Sequence, residues 1–145
     1  KRITDLGSLK RNLNIAYENS NTDITQRTYP LLGAGSYEIG HSTSKWPSWT
    51  SAFTSALGAS APVDPLNNFN LPCVANEEDN SLYDTESCWN ESTKTYICPA
   101  GSHIYEYWSI NAGTNFQIYA NMEYEGPGTW ITGSLNGCHN FVLTK

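Results

Sequence analysis

The sequence predicts an α+β fold in which a long N-terminal helix packs against an antiparallel β-sheet of three to four strands. Apolar residues recur at helical spacing over the first 20 residues. The last third of the chain is rich in aromatic and β-branched residues that alternate with polar ones. A long polar loop with one short helical segment connects these two regions. Because the helical and strand segments are segregated, we expect an antiparallel sheet with the helix covering one face.

Residues 1–20 are predicted to form the long helix, which ends at the polar cluster Asn19-Ser20-Asn21. Its start is unusual, because no N-cap residue precedes it and Lys1 and Arg2 occupy a first turn where the helix dipole favours acidic residues. Such a start is expected of a helix that continues from an upstream segment. The apolar positions of the helix are Ile3, Leu6, Leu9, Leu13, Ala16 and Tyr17.

Residues 21–98 are predicted to be a long region connecting the helix to the sheet. Glycines and prolines make residues 21–47 a loop, and residues 66–95 are polar and irregular. One short helix is expected between these stretches, with Ser48 as its N-cap and Gly58 as its stop. Its apolar residues recur at i, i+4 and i+8, namely Trp49, Phe53 and Leu57.

Residues 99–145 are predicted to hold the sheet, so that residues 1–145 form a single domain. Two long strands, at roughly 103–110 and 115–123, form a β-hairpin closed by Asn111 to Thr114. A third strand is expected in the segment TWITGSL, and a short final strand is expected in NFVLT.

Alternation along the first strand of this hairpin puts Trp108 and Ile110 on one face and Tyr107 on the other. We expect Trp108 and Ile110 to face the helix, together with Phe116 and Ile118 from the partner strand. The tyrosine face then turns away from the helix.

The composition argues against one class of function. The 145-residue chain has a formal net charge of −6, and four of its eight Lys and Arg residues lie within the first 11 positions. Proteins that bind nucleic acid by neutralising phosphates carry a basic stripe, so no nucleic-acid binding is expected. Charged residues make up only 15% of the chain, and Asn, Ser, Thr, Gly and Tyr replace them, which is typical of an exported protein.

The four cysteines predict two disulfides. They form no CxxC pair, and no His lies at ligand spacing from a Cys pair, so a zinc site is not expected. An even number of cysteines in a polar chain indicates an oxidising compartment. Of the three possible pairings, we favour Cys73–Cys88, which closes a polar loop of about 15 residues, and Cys98–Cys138, which ties the entrance of the sheet to its last segment.

The acidic segment NEEDNSLYDTE has two interpretations. The favoured one is a solvated acidic loop closed by the Cys73–Cys88 disulfide, with no cofactor. The alternative is a Ca²⁺ site, because Ca²⁺ takes about six to eight oxygen ligands from flexible loops. The segment lacks the EF-hand pattern, and its candidate ligands are Glu77, Glu78, Asp79 and Asp84.

The common catalytic motifs are missing from the sequence. GAGSYEIG contains Ser36 but does not match GxSxG, and neither GxGxxG after a strand nor a P-loop is present. Nothing fixes the spacing of a carboxylate pair. The chain is therefore predicted not to be an enzyme. The histidines and acids that an active site could combine are dispersed along it: His41, His103, His139, Glu106, Glu123 and Glu125.

Several segments resemble the soluble part of bacterial type IV pilins and type II secretion pseudopilins. They are the helix KRITDLGSLKRNLNIAYEN, the segment SWTSAFTSALG, the connector APVDPLNN and the hairpin IYEYWSINAGTNFQIYANME. The resemblance covers nearly the whole chain, and VDPLNN and FQIYANME are its most specific parts. It implies a pilin-like fold. It also implies a structural subunit of an extracellular filament, which acts by polymerisation in adhesion, motility, DNA uptake or secretion.

The resemblance also implies partners and a location. In this family an apolar N-terminal half of the helix anchors the precursor in the inner membrane and later forms the filament core. The present sequence lacks that half, which would precede Lys1. The partners would be other copies of the chain and other pilin subunits, at the cell surface or in the periplasm. Pilins often staple their C-terminal region with a disulfide, which Cys138 fits. The calcium site of secretion-type members does not carry over, because the acidic cluster here precedes the hairpin.

Two other functions stay open at this point. A minor pilin or adhesin would bind glycans through exposed aromatic residues, although core or interface packing explains most of them better. A small secreted enzyme would need Glu106, Glu123 and a histidine to converge in one cleft. The tryptophans available for glycan binding are Trp46, Trp49, Trp89, Trp108 and Trp130.

Overall fold

The first helix, α1, spans Arg2–Ser20 and confirms the predicted long helix. The computed structural model describes residues 1–32, 41–45, 49, 51–73, 82–93, 95–123, 129–130 and 139–145. Lys1 occupies the N-cap position without a side-chain hydrogen bond, and Asp5 supplies an acidic group in the first turn, which suits the helix dipole. Within the described residues, neither helix combines the length and apolarity needed to cross a membrane. The buried stripe of α1 consists of Leu6, Leu9 and Leu13.

Seven short strands follow in the part of the chain that the structure describes. They are β1 (His41–Thr43), β2 (Trp89–Asn90), β3 (Thr95–Tyr96), β4 (Glu106–Ile110), β5 (Asn115–Ala120), β6 (Thr129–Trp130) and β7 (Phe141–Thr144). β2 pairs with β3, and the other five form one antiparallel sheet in the order β1-β4-β5-β7-β6. The α1 leucines pack in one hydrophobic cluster with residues of this sheet, so the predicted helix-on-sheet α+β arrangement is confirmed.

β4 and β5 form the predicted hairpin. Their register places Glu106 opposite Tyr119, and Asn111–Gly113 connects them as a 3₁₀ turn. Gly113 has a φ of +82°, which L side chains rarely adopt. A Cβ at this position would lie 2.9 Å from the side chain of Leu31. The turn therefore requires glycine, both for its backbone angle and for the close approach.

The side chains of β4 face in the opposite sense to the prediction. Tyr107 is fully buried in the cluster that contains the α1 leucines, together with Phe116 and Ile118. Trp108 and Ile110 are only half-buried and lie outside that cluster. The prediction was right for Phe116 and Ile118 and wrong for the two β4 residues.

The tyrosine hydroxyls explain this reversal. Tyr107 donates its hydroxyl to the Pro30 carbonyl at 2.8 Å, and Tyr105 donates to the Asp5 carboxylate at 3.2 Å. Because both hydroxyls have partners, the rings are buried without an unsatisfied polar group. Alternation divides a strand into two sets of side chains, but it does not say which set faces the helix when both are aromatic.

β1 lies in the region that the sequence predicted as a loop. It pairs antiparallel with β4, with Ser42 opposite Tyr107, and all three of its residues are buried. It is the fifth strand of the sheet, where three to four were expected. A segment of three residues is too short to show period-two alternation, but the edge of β4 leaves backbone groups that a neighbouring strand can satisfy.

The second helix, α2, spans Ser51–Leu57, between the two stretches predicted as loop. Gly58 follows it with a φ of +67° and donates its amide to the Thr54 carbonyl at 3.0 Å, as expected of a glycine that ends a helix. The predicted N-cap, Ser48, lies outside the described residues. The predicted apolar row is buried in the main core: Trp49, Phe53 and Leu57.

The β2–β3 pair lies in a stretch that was predicted to be irregular. Trp89 pairs with Tyr96, and Asn90 pairs with Thr95. A second hydrophobic cluster of buried residues lies in this part of the chain, separate from the cluster under α1. Its members are Phe69, Cys73, Cys88, Cys98 and Ile104, with Tyr83 packed against them.

Candidate functional site

Arg2 fixes the first turn of α1 to the connector that follows α2. Its guanidinium donates from Nε to Asp64 Oδ2 at 2.7 Å and from Nη2 to Asp64 Oδ1 at 2.9 Å. Asp64 Oδ1 also accepts the backbone amide of Leu66 at 2.9 Å. Two parallel hydrogen bonds from a guanidinium to a carboxylate are the strongest form of an ion pair between these groups. The carboxylate therefore holds both the helix and its own loop.

The surroundings of Asp64 keep its carboxylate charged. Burial alone raises the pKa of Asp64, but hydrogen bonds from Arg2 and from the amides of Leu66 and Asn67 outweigh it, and the net pKa lies below its usual value. The hydrogen bond to Asp64 raises the pKa of Arg2 in turn. Both partners of the pair are therefore ionised at neutral pH.

Arg2 makes two further contacts. It donates to Glu123 Oε1 at 3.1 Å and lies 3.3 Å from His103 Nδ1, which must accept because a guanidinium carries donors only. The Glu123 side chain is 63% exposed, so its contribution is small compared with that of the buried Asp64. We call Arg2, Asp64, His103 and Glu123 the Arg2 cluster.

A second polar group lies on the sheet face turned away from α1. Glu106 Oε1 is 3.4 Å from His41 Nε2, and Glu106 Oε2 is 3.5 Å from His139 Nδ1. All three residues are buried. Trp108 stacks on His41, and Tyr119 stacks on His139, with ring centroids 4.7 Å and 5.6 Å apart. We call His41, Glu106 and His139 the His–Glu–His cluster.

His139 is neutral at neutral pH. Burial lowers its pKa to about 3, although a hydrogen bond to the Ile104 backbone and the charge of Asp64 act in the opposite direction. Its contact with Glu106 is therefore not an ion pair near pH 7, even though the 3.5 Å separation would allow one.

The structure does not assemble the active site that the enzyme hypothesis required. Glu106 meets two histidines, but Glu123 lies in the Arg2 cluster instead. Glu106 is 0% exposed, so its carboxylate does not meet a dissolved substrate in this conformation. Ser36 and Glu125 lie outside the described residues.

The pairing of Arg2 with Asp64 was missed at the level of sequence. Two signals pointed to it. Arg2 sits in a first turn where a positive charge is unfavourable without a nearby acid. Asp64 lies between two prolines in the apolar connector APVDPLNN, where an isolated carboxylate needs a partner if it is buried.

Asp84, one of the candidate calcium ligands, acts as a cap for a turn. Its Oδ1 accepts the backbone amides of Glu86 and Ser87 at 3.0 Å and 2.8 Å. Across the described part of the chain, no group of three or more His, Cys, Asp or Glu residues is placed to hold a metal ion. The other candidate ligands lie outside the described residues: Glu77, Glu78 and Asp79.

The predicted Cys73–Cys88 disulfide is confirmed, with Cα atoms 5.2 Å apart. Cys98 is also disulfide-bonded. Its expected partner, Cys138, lies outside the described residues. The bridge and Cys98 pack in the cluster that contains Ile104, so the disulfide packs against the segment that leads into β4.

A groove of about 660 Å³ opens beside this disulfide. On the apolar side of the groove, Leu82 is 59% exposed. Trp89 donates its indole N–H to Glu91 Oε2 at 2.6 Å. Lys45 is the one cation among the lining residues that the structure describes. We call this groove the acidic groove, and define it by Leu82, Tyr83, Asp84, Glu86, Trp89 and Glu91.

The outer side of α1 carries exposed apolar and basic residues. Ile3 and Ile15 are 48% and 50% exposed. Ile3 lies with Gly7 and Lys10 along a shallow cleft between α1 and β7, and Arg11 is exposed beside them. We call Ile3, Gly7, Lys10 and Arg11 the basic strip.

The described tryptophan side chains are engaged in packing. Trp49 is buried and donates its indole N–H to the Pro62 carbonyl at 2.7 Å. Trp89 is 9% exposed, and Trp108 is half-buried against His41. Trp49 therefore belongs to the core, as core packing of these aromatic residues predicts, whereas Trp89 and Trp108 belong to neither hydrophobic cluster. Trp46 and the side chain of Trp130 lie outside the described part.

Comparison with protein-family models, with curated proteins and with solved structures finds no match for this chain.

Proposed function

We propose that this chain is the globular part of a structural subunit, a pilin or pseudopilin, of an extracellular type IV pilus-like filament. The observation that carries the proposal is that α1 packs on the sheet with one set of apolar side chains and exposes another. Its inner stripe packs on the sheet, while Ile3 and Ile15 remain about half exposed outside it. Burial of these two side chains between subunits would remove apolar surface from water, which favours assembly.

The way α1 is fastened supports the same function. Arg2 ties its start to Asp64, and near its end Tyr17 stacks on Tyr29 with ring centroids 4.7 Å apart. At 1.5 Å per residue, Ile3 and Ile15 are separated by about 18 Å along the helix. A helix held at both ends presents this outer surface in the same way in every copy, which a regular assembly requires.

The disulfide supports the proposed location. A confirmed Cys73–Cys88 bridge is typical of proteins that fold in an oxidising compartment, such as the periplasm or the cell surface. The proposed partners are other copies of this chain and other pilin subunits. Membrane anchoring before assembly would depend on an apolar segment upstream of Lys1.

The first experiment is to read the residues that precede Lys1 in the native gene product. A short basic leader followed by about 20 apolar residues in helical phase would support the proposal. An ordinary cleavable signal peptide that ends near Lys1 would overturn it.

Electron microscopy of the native gene product then tests assembly directly. We expect filaments from the wild-type product and fewer from Ile15→Glu, because the charge would be buried in a subunit contact. Ile24→Glu is the matched control. Ile24 is 69% exposed but lies on a 3₁₀ turn beyond α1, so filament yield should not change.

A further inference from the structure

We propose that the acidic groove of one copy receives the basic strip of a second copy, so that copies join head to tail. This inference rests on the proposed function and names the two surfaces that would meet within the filament. The surfaces belong to different parts of the same chain, because the strip lies on α1 and the groove lies beside the Cys73–Cys88 disulfide.

The charges of the two surfaces are complementary. Among the lining residues that the structure describes, the three carboxylates of Asp84, Glu86 and Glu91 outnumber one cation, Lys45. The strip carries Lys10 and Arg11 and has no acidic member. Opposite charges on facing surfaces raise the association rate and set the register of a contact.

The distribution of charge over the whole chain points to the same pairing. With a net charge of −6, two copies repel each other on average. The first 11 residues are the exception, since they hold four of the eight Lys and Arg residues and one acid, Asp5. Arg2 is already engaged by Asp64. Lys1 lies 3.9 Å from Asp5 within the same turn. This leaves Lys10 and Arg11 to meet an acidic surface on another copy.

The apolar parts of the two surfaces also correspond. Ile3 on the strip and Leu82 in the groove are 48% and 59% exposed, and each lies next to the charges of its own surface. Gly7 leaves open space beside the helix backbone on the strip, because a Cβ built there meets no atom within 4 Å. A partner side chain can therefore approach the helix backbone closely at this point.

The pairing has a consequence for the form of the assembly. Because the strip and the groove are different surfaces, each contact leaves an unused groove on one copy and an unused strip on the other. Such heterologous contacts build open chains unless the rotation between copies closes a ring. An open chain is the form of assembly that the proposed filament function requires.

Sedimentation of the folded chain at low and high salt provides the first test. We expect self-association that weakens as salt rises from about 0.01 M to about 1 M, since the Debye length falls from about 30 Å to about 3 Å. Lys10→Glu and Glu86→Lys should each weaken association about fivefold, the scale expected of exposed charge pairs. The double variant Lys10→Glu/Glu86→Lys should recover it, because the charges are exchanged rather than lost.

Arg27→Glu is the matched control for Lys10→Glu, because it makes the same change of charge outside both surfaces and should leave association unchanged apart from the shift in net charge. Far-UV circular dichroism checks that every variant is folded. The inference is overturned if the single variants associate like the control, or if the double variant does not recover. It is also overturned if a basic peptide or a neutral glycan fills the groove without competing with self-association.

These outcomes are separable from those of the proposed function. If the native gene product forms filaments that Lys10→Glu leaves unchanged, the filament function stands and the strip–groove contact is wrong. If no filaments form but the charge exchange restores association in solution, the contact stands and the filament function is wrong.

Discussion

The guanidinium of Arg2 and the carboxylate of Asp64 meet through two hydrogen bonds, of 2.7 Å and 2.9 Å, where the aspartate side chain has no exposed surface. Removing two charges from water is costly, and only a well-formed pair offsets that cost. The contact therefore decides how α1 sits relative to the connector. Loss of Arg2 therefore leaves Asp64 as a buried charge without its ion-pair partner, and loss of Asp64 leaves Arg2 only the exposed Glu123 as a counter-charge.

The Asp64→Asn variant should lose about 3 kcal/mol of unfolding free energy, because it leaves Arg2 without its buried counter-charge. Urea denaturation measures this loss. The control is Asp5→Asn, which removes the charge that lies 3.9 Å from the exposed Lys1 but keeps an oxygen to accept the Tyr105 hydroxyl, and should cost much less. Equal losses in the two variants would contradict the importance of the buried pair.

The same variant should alter the acid limb of the stability profile. The folded-state pKa of Asp64 is lowered, so its contribution is present above the unfolded pKa of about 4 and is lost as pH falls through the folded value. The Asp64→Asn variant has no carboxylate to protonate at this position, so it lacks this loss of stability in acid. Its difference from the wild type should therefore shrink in strong acid, as urea midpoints measured from neutral to low pH would show.

His139 should make the folded state less stable in mild acid. Its pKa is about 3 when folded and about 6.5 when unfolded, so between these values the unfolded chain binds a proton that the folded chain does not. Stability therefore falls as pH drops through this window, by up to about 1.4 kcal/mol per pH unit. His139→Gln should flatten the slope, whereas His103→Gln keeps His139 and should retain it.

Cutting the Cys73–Cys88 bridge should destabilise the chain by about 3 kcal/mol, the value expected for a closed loop of about 15 residues. The Cys73→Ser/Cys88→Ser double variant tests this without reductant, which would also open the disulfide of Cys98. Thermal unfolding gives the measurement. An unchanged midpoint would mean that the loop is already ordered in the unfolded reference state.

Two glycines should respond oppositely to alanine. Gly113→Ala should cost about 1–3 kcal/mol, because its φ is +82° and the new Cβ would lie 2.9 Å from Leu31 and Thr28. Gly7→Ala lies in the exposed interior of α1 with open space around its Cβ, and should gain up to about 1 kcal/mol. The pair of urea midpoints is the test, and a gain at Gly113 would contradict the turn geometry.

The parts of the fold that depend on neighbouring residues were predictable. Helix periodicity and turn chemistry are local, so a few neighbouring residues are enough to predict such features. Examples are the stripe of α1, the glycine that ends α2 and the β4–β5 hairpin. The pairing of Cys73 with Cys88 follows from the same kind of reasoning, since the two residues are close in sequence and close a short polar loop.

The parts that depend on distant residues were not predictable. His41, Glu106 and His139 come from three separate segments, and no periodicity relates them. The orientation of β4 was mispredicted because hydrophobicity favours Trp108 inside, whereas the hydroxyl partners of the tyrosines at Pro30 and Asp5 come from elsewhere in the chain. β1 was not predicted, because it is a strand on account of its place beside β4 rather than of its own residues.

The contacts of Arg2 also have a mechanical meaning. Its partners lie in the connector at Asp64 and, through Glu123, in the segment that directly follows β5. β5 is the middle strand of five, with hydrogen-bonded neighbours on both sides. A pull applied to the start of α1 would therefore pass through Arg2 into the connector and towards the strand that is hardest to extract. Tension would load the centre of the sheet before it could peel the helix from its face.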